Sequence, residues 1–369
     1  MKTIPIACIV GARPNFMKIA PLMEELRNWP CFVTRLIHTG QHFSPEMSAA
    51  FFRDLGMPEP DENLEVGSGT QIEQAAAIMT ALERAFVRNR PGLVLVVGDV
   101  TSTLAAALVA SKLQIPLGHV EAGLRSFDRG MPEEVNRVVT DALSDYLFVS
   151  EPSGVQNLRA EGVPEHKIFF VGNVMIDTLL RFLPKAMEST ILTQLGVAST
   201  SYALATLHRP ANVDDPVQLR CFLEMLTGIA KRIPVVFPVH PRTRHGIENA
   251  NLPTEGMILT PPLGYLDFLR LMADARFVLT DSGGIQEETT VLQVPCLTLR
   301  DNTERPITVE VGTNRLVGTD AENGLRAALG LLEEPPAQAR TPELWDGHAS
   351  ARIVSILARC LAGADAADR

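Results

Sequence analysis

The sequence predicts an α/β protein built from two doubly wound domains, and three observations lead there. Short apolar, β-like runs alternate with amphipathic helical patterns from one end of the chain to the other, the rhythm of repeated βα units on a parallel sheet covered on both faces. At 369 residues, 46% of them apolar, the chain exceeds one ordinary core and holds the apolar material for two. The runs repeatedly end in polar turns rich in glycine, the places where ligands of doubly wound sheets collect.

In order, the β-like runs of the first half are Ile4–Val10, Val33–Thr39, Leu93–Gly98, Leu117–Val120 and Tyr146–Val149. The rhythm dips around Gly172-Asn173-Val174 and resumes with Ser201–Leu207, Val235–Val239, Gly256–Leu259, Arg276–Leu279 and Pro295–Leu299. Domains are therefore expected at 1–175 and 176–345, with a helix in 346–369 packing back on the first.

Composition narrows the function. A formal charge of −10 argues against nucleic acid or an anionic membrane surface as partner, since both reward net positive charge. The five cysteines, Cys8, Cys31, Cys221, Cys296 and Cys360, form no CxxC pair, so buried thiols in a reducing compartment explain them better than disulfides or zinc. No apolar stretch approaches the length that spans a bilayer, and the N-terminus runs straight into a strand-like segment, so a cytoplasmic protein is expected. His38 and His42 have the spacing of a metal pair but no third ligand beside them, and no metal is expected there.

The strand ends carry the candidate chemistry. Leu279-Thr280-Asp281-Ser282-Gly283-Gly284 reads as strand, tight turn and helix start, where backbone N–H groups and the helix dipole suit phosphate. Glu288 follows Ser282 by six residues, roughly 9 Å along a helix, a span that suits a carboxylate accepting from ribose hydroxyls. The plainer alternative is that Asp281 or Ser282 caps a helix. Arg13 stands beside the strand-end glycine Gly11, with Lys18 one turn into the following helix. Asp99 and Glu121 end neighbouring runs; Asp99 also reads as a helix cap, whereas Glu121 lies between an apolar strand and a small-residue turn. Two such carboxylates crowded in one crevice would make an acid–base pair. Glu133, in Met131-Pro132-Glu133-Glu134, reads first as a helix start. His208 and Arg209 end the first strand of the second half, and Arg305 lies on the loop after Pro295–Leu299; both sets suit a phosphate.

Taken together, GARPNFMKIAPL, HTGQHF, VVGDVTSTLA, HVEAGLR, MPEEVNR, TLHRPANV, FPVHPRT, LTDSGGIQEE, RDNTERP and the following VGTN run in one order from residue 4 to about residue 320. With these motifs the chain resembles the non-hydrolysing UDP-N-acetylglucosamine 2-epimerases. The resemblance implies two Rossmann-like domains facing a central cleft, the glycosyltransferase-B type, in a homodimer that uses neither nicotinamide nor metal. It also implies a reaction in which UDP leaves C1 as the C2 proton is removed, giving a glycal to which UDP returns after protonation on the other face. Arg13, His208, Ser282 and Gly283 would then stabilise the departing diphosphate, with Lys18 and Arg305 as further cations. Asp99, Glu121 and Glu133 would move the proton, Glu133 on the resemblance alone.

The sequence departs from the family pattern in places. Pro210 and Ala211 follow the His-Arg pair where substrate-activated members often carry Arg and Glu, and Asn15 stands where many have Glu. Gln41 and His42 do match part of the proposed regulatory surface, so activation by substrate stays open. A glycosyltransferase, a hydrolysing 2-epimerase, a nucleotide-sugar sensor and an epimerase of a modified UDP-N-acetylglucosamine are the competing readings.

Overall fold

The structure is a computed structural model that describes residues 3–40, 56–67, 69–249, 254–334 and 339–362, with backbone alone at 13, 14, 211, 242, 249 and 362. The chain divides into two compact units, residues 1–178 with 343–369, and residues 179–342.

The first unit runs β1 (Ile4–Val10), α1 (Arg13–Arg27), β2 (Phe32–His38), β3 (Glu62–Asn63), α2 (Gln71–Arg88), β4 (Leu93–Val97), α3 (Thr101–Lys112), β5 (Leu117–Ala122), α4 (Pro132–Leu143), β6 (Tyr146–Val149), α5 (Pro152–Ala160), β7 (Ile168–Phe170) and α6 (Val174–Ala186), within which the division falls. Among the described residues its strands form one parallel sheet ordered β3-β2-β1-β4-β5-β6-β7. β4 is buried at every position, as a central parallel strand covered on both faces must be. α3 is buried almost all round and contributes Ala105, Ala106, Ala107 and Ala110 to the core; small side chains let it sit close to both α2 and α4.

The second unit runs α7 (Ile191–Leu195), β8 (Ala203–Thr206), α8 (Pro210–Val213), α9 (Pro216–Ala230), β9 (Val235–Pro238), α10 (Pro241–Asn249), β10 (Met257–Thr260), α11 (Tyr265–Ala273), β11 (Phe277–Thr280), α12 (Gly283–Leu292), β12 (Cys296–Thr298), α13 (Ile307–Glu310), β13 (Asn314–Leu316) and α14 (Ala321–Glu333). Its parallel sheet is ordered β10-β9-β8-β11-β12-β13. In each sheet the order reverses at one pair, β1/β4 in the first and β8/β11 in the second, which is the switch point where such sheets open a crevice. The short strands β3, β7 and β13 were absent from the expected runs; all three lie at sheet edges, where little burial imposes a pattern.

The last helix, α15 (Ala349–Ala362), belongs to the first unit and lies against α1. Hydrogen bonds from Trp345, to Asp177 and from Arg352 Nη1 to the Val171 carbonyl hold the returning segment. Buried Trp345 donates from Nε1 to the Ser150 carbonyl at 2.9 Å, and the Asp177 carboxylate caps α15 by accepting from the N–H groups of Ala349 and Ser350 at 3.0 and 2.7 Å. Among the described residues no helix is long and apolar enough to cross a membrane.

Candidate active site

In the first unit the β1 turn is stapled to β4 by Asn15. Its Oδ1 accepts from the N–H groups of Gly11 and Ala12 at 3.2 and 3.1 Å, and its Nδ2 donates to the Val97 carbonyl at 2.9 Å. An amide can do both, whereas a glutamate, acceptor only, would forfeit the bond to Val97. Arg13 opens α1 with its side chain outside the described residues, as are Gln41 and His42 altogether. Lys18, one turn on, is buried and ion-paired with Glu121 Oε2.

Glu121 itself stands in the left-handed region at φ 70°, where the β5–β6 register shifts between Val120 and Ala122. A non-glycine residue held there costs on the order of 1–3 kcal/mol, which surrounding contacts must offset. The bulge turns the carboxylate: Oε2 meets Lys18, while buried Oε1 has no hydrogen-bond partner among the described residues. Gly98 lies at φ 66°, and a Cβ there would come within 3.0 Å of Lys18 Nζ. Next to it, half-buried Asp99 binds Arg137 Nη1 through Oδ2 at 2.5 Å, and its carbonyl accepts from Asn136 Nδ2 at 2.8 Å. The two carboxylates thus do end adjacent strands, but each is matched by its own cation instead of crowding the other.

Glu133 occupies the first turn of α4 and is exposed. The buried member of that pair is Glu134, which accepts from the Ser126 and Phe127 N–H groups at 2.9 and 3.0 Å and from Arg137 Nη2 at 2.8 Å. Burial alone would raise its carboxyl, but those donors together hold it below the usual value. The buried stripe of α4 is charged at Glu134, Arg137 and Asp141, while Val135 faces out, 45% exposed. That inverted amphipathicity is readable in hindsight at helical spacing, yet periodicity alone would point the valine inward.

In the second unit, His208 after β8 and Asp281 after β11 meet at the switch point. Fully buried Asp281 accepts from the N–H groups of His208 and Arg209 at 3.0 and 2.9 Å, from Asn212 Nδ2 at 3.1 Å, and pairs with His208 Nδ1 at 2.8 Å. Burial would raise this carboxyl, but His208 and the N–H donors outweigh it and hold it low. Asp281 is therefore an orienting partner for the histidine and not a cap for α12. With Nδ1 committed, Nε2 is the ring nitrogen left for a ligand, on a side chain 45% exposed.

Ser282 takes the N-cap position of α12 without a side-chain capping bond among the described residues. Gly283 follows, and a Cβ on it would lie 2.6 Å from Arg305 Nη1. Arg305 has little room to yield, since its Nε pairs with Glu287 Oε1 at 2.7 Å and Nη1 with Glu304 Oε1 at 2.6 Å. Glu304 in turn binds Arg300 Nη2 at 2.8 Å; despite burial, Arg305 and Arg300 keep it well below the usual carboxylate range. Glu288 is buried, accepts from the Tyr265 hydroxyl at 3.2 Å, and is pushed up to about 8, chiefly by burial.

Each unit is thus a doubly wound, Rossmann-like domain with charged and polar groups gathered at its switch point, one rich in carboxylate–cation pairs and the other in phosphate-type donors: the class is a nucleotide-handling α/β protein. Residues 24–358 match the family described as UDP-N-acetylglucosamine 2-epimerase, and the chain belongs to that family. It is 42% identical over 366 residues to UDP-N-acetylglucosamine 2-epimerase of Methanocaldococcus jannaschii, covering 95% of this chain and 98% of the relative. It is 41% identical over 361 residues to UDP-2,3-diacetamido-2,3-dideoxy-D-glucuronate 2-epimerase of Pseudomonas aeruginosa, covering 96% and 99%. The crystal structure of the M. jannaschii UDP-GlcNAc 2-epimerase in complex with UDP-GlcNAc and UDP superposes with a TM-score of 0.89 at 41% identity, covering 96% of this chain and 99% of that one.

Proposed function

We propose that this enzyme interconverts UDP-N-acetylglucosamine and UDP-N-acetylmannosamine by elimination and re-addition of UDP through a glycal. The observation that carries the reading is Glu121: a buried carboxylate with one oxygen on Lys18 and the other without a partner among the described residues, one strand away from Asp99. The C2 hydrogen is poorly acidic because no carbonyl adjoins it, so cleavage of the C1–O bond must run ahead of proton removal. Departure of the diphosphate therefore needs strong stabilisation, on the order of 3–4 kcal/mol for each well-placed donor. His208 Nε2, the helix start at Ser282 and Gly283, Arg305 and Arg13 supply it, while Glu288 accepts from the ribose hydroxyls. Asp99, Glu121 and Glu133 exchange the proton at C2, with Lys18 holding one oxygen of Glu121. The enzyme works as a cytoplasmic homodimer.

Incubation with UDP-N-acetylglucosamine in deuterated water, followed by NMR, tests this. The expected result is UDP-N-acetylmannosamine carrying deuterium at C2; stoichiometric free UDP with N-acetylmannosamine would instead identify a hydrolysing enzyme, and binding without exchange a sensor. The similarity to a diacetamido-glucuronate epimerase, within one percentage point of that to the M. jannaschii enzyme, favours a second reading in which the sugar carries further substituents. Parallel turnover of both UDP-sugars separates the two.

A further inference from the structure

We infer that His119, held by Asp141, is a positioning residue for the proposed reaction: it donates from both ring nitrogens and locks together the strand ends that carry Asp99 and Glu121. The inference rests on the reading above, in which those carboxylates move the C2 proton.

His119 lies in β5 two residues before Glu121, fully buried. Its Nδ1 is 2.6 Å from Asp141 Oδ1, and its Nε2 is 2.9 Å from the carbonyl oxygen of Gly98. Both neighbours are acceptors. A neutral imidazole has one N–H and would turn a lone pair on one of them; only the doubly protonated ring satisfies both. Asp141 also receives Arg125 Nη1 at 2.7 Å, and Arg125 forks onto the exposed Glu161 at 2.7 and 2.8 Å.

The geometric consequence falls on the catalytic turns. Nε2 grips the peptide between Gly98, at φ 66°, and Asp99. Asp141 Oδ2 accepts from the Gly123 N–H at 3.0 Å, which fixes the turn leaving Glu121 at φ 70°. Gly123 itself stands at φ 80°, where a Cβ would strike the Gly154 carbonyl at 2.4 Å. One imidazolium–carboxylate pair therefore touches both strand ends from beneath, and Gly98 N–H to Val120 O at 3.0 Å completes the connection.

The test uses the full chain. In His119→Gln and Asp141→Asn, kcat is expected to fall about 10- to 100-fold through misplaced carboxylates, with KM and the Kd for UDP held within about threefold. The double variant is expected to lose no more than the worse single one, because the pair acts as a unit. An independent readout comes from 15N NMR of histidine-labelled wild type, where both His119 ring nitrogens are expected to be protonated. Unchanged kcat in both variants, a loss confined to KM, or one bare nitrogen in the wild type overturns the inference. If the variants fold too poorly for kinetics, the NMR result decides. A wild-type chain that turns over no UDP-sugar overturns the functional reading instead, an outcome that the NMR arm keeps separate.

Discussion

The two units share a strand order and differ in what stands at its reversal. In the first, β1, β4 and β5 end on ion pairs, buried Lys18 with Glu121 and buried Arg137 with half-buried Asp99. In the second, β8 and β11 end on a histidine oriented by a buried aspartate and on a helix start beside Arg305. One topology therefore carries carboxylate–cation pairs in one copy and phosphate-type donors in the other, which the proposed reaction would use for proton transfer and anion binding. The sheet supplies only the location; the side chains within a few residues of each strand end supply the chemistry.

That division of labour can be broken experimentally. Glu121→Gln removes the proposed proton-transfer group and leaves Lys18 without its counter-charge, so kcat should fall about 10²- to 10⁴-fold with UDP affinity preserved by calorimetry; lost affinity with normal turnover would reverse the assignment. Asp281→Asn turns an amide N–H toward the N–H groups of His208 and Arg209, or frees the histidine ring. A loss of about 10²-fold in kcat is expected, with destabilisation of about 1–3 kcal/mol in urea titrations.

Smaller effects sharpen the contrast. Gly283→Ala puts a methyl group within 2.6 Å of the Arg305 Nη1 position. Overpacking of about 1–2 kcal/mol should weaken UDP binding about tenfold and lower kcat by no more than that, whereas Glu121→Gln lowers kcat with UDP affinity preserved.

The last effect is one of pH on stability, confined to the second unit. The Glu288 carboxyl rises from 4.5 in the unfolded chain to about 8, so between those values the folded state holds a proton that the unfolded chain has released. Its contribution to stability is fully present below 4.5 and is lost as pH rises through about 8. Between about pH 5 and pH 9, Tm of Glu288→Gln should gain a few degrees on wild type; parallel Tm curves would show that burial does not act on Glu288 in this way.

Legibility in the sequence followed burial. β1 and β6 were readable to the residue because each is a continuous apolar run, and β5 was readable except for its last two residues, where the bulge at Glu121 interrupts the pattern. β3 and β13, Glu-Asn and Asn-Arg-Leu, carry no period at all. Among the candidate site residues, Asp99, Glu121, His208 and Ser282 stood out because each follows closely on an apolar strand, while Lys18 and Arg305 were placed as active-site cations by the family resemblance. Their partners were not. Arg137 reaches Asp99 from 38 positions away, Asp281 reaches His208 from 73, and Asp141 reaches His119 from 22.

The linear order of residues was enough to settle the α/β class, the βα rhythm and the strand-end polar groups, because these depend on local periodicity and on glycine turns that any reader of the chain can see. Which cation answers which carboxylate was decided only on folding, for a physical reason. A buried charge must find its counter-charge within a few ångströms, and parallel strands joined by crossover helices place that partner tens of residues away, where no spacing in the sequence records the meeting.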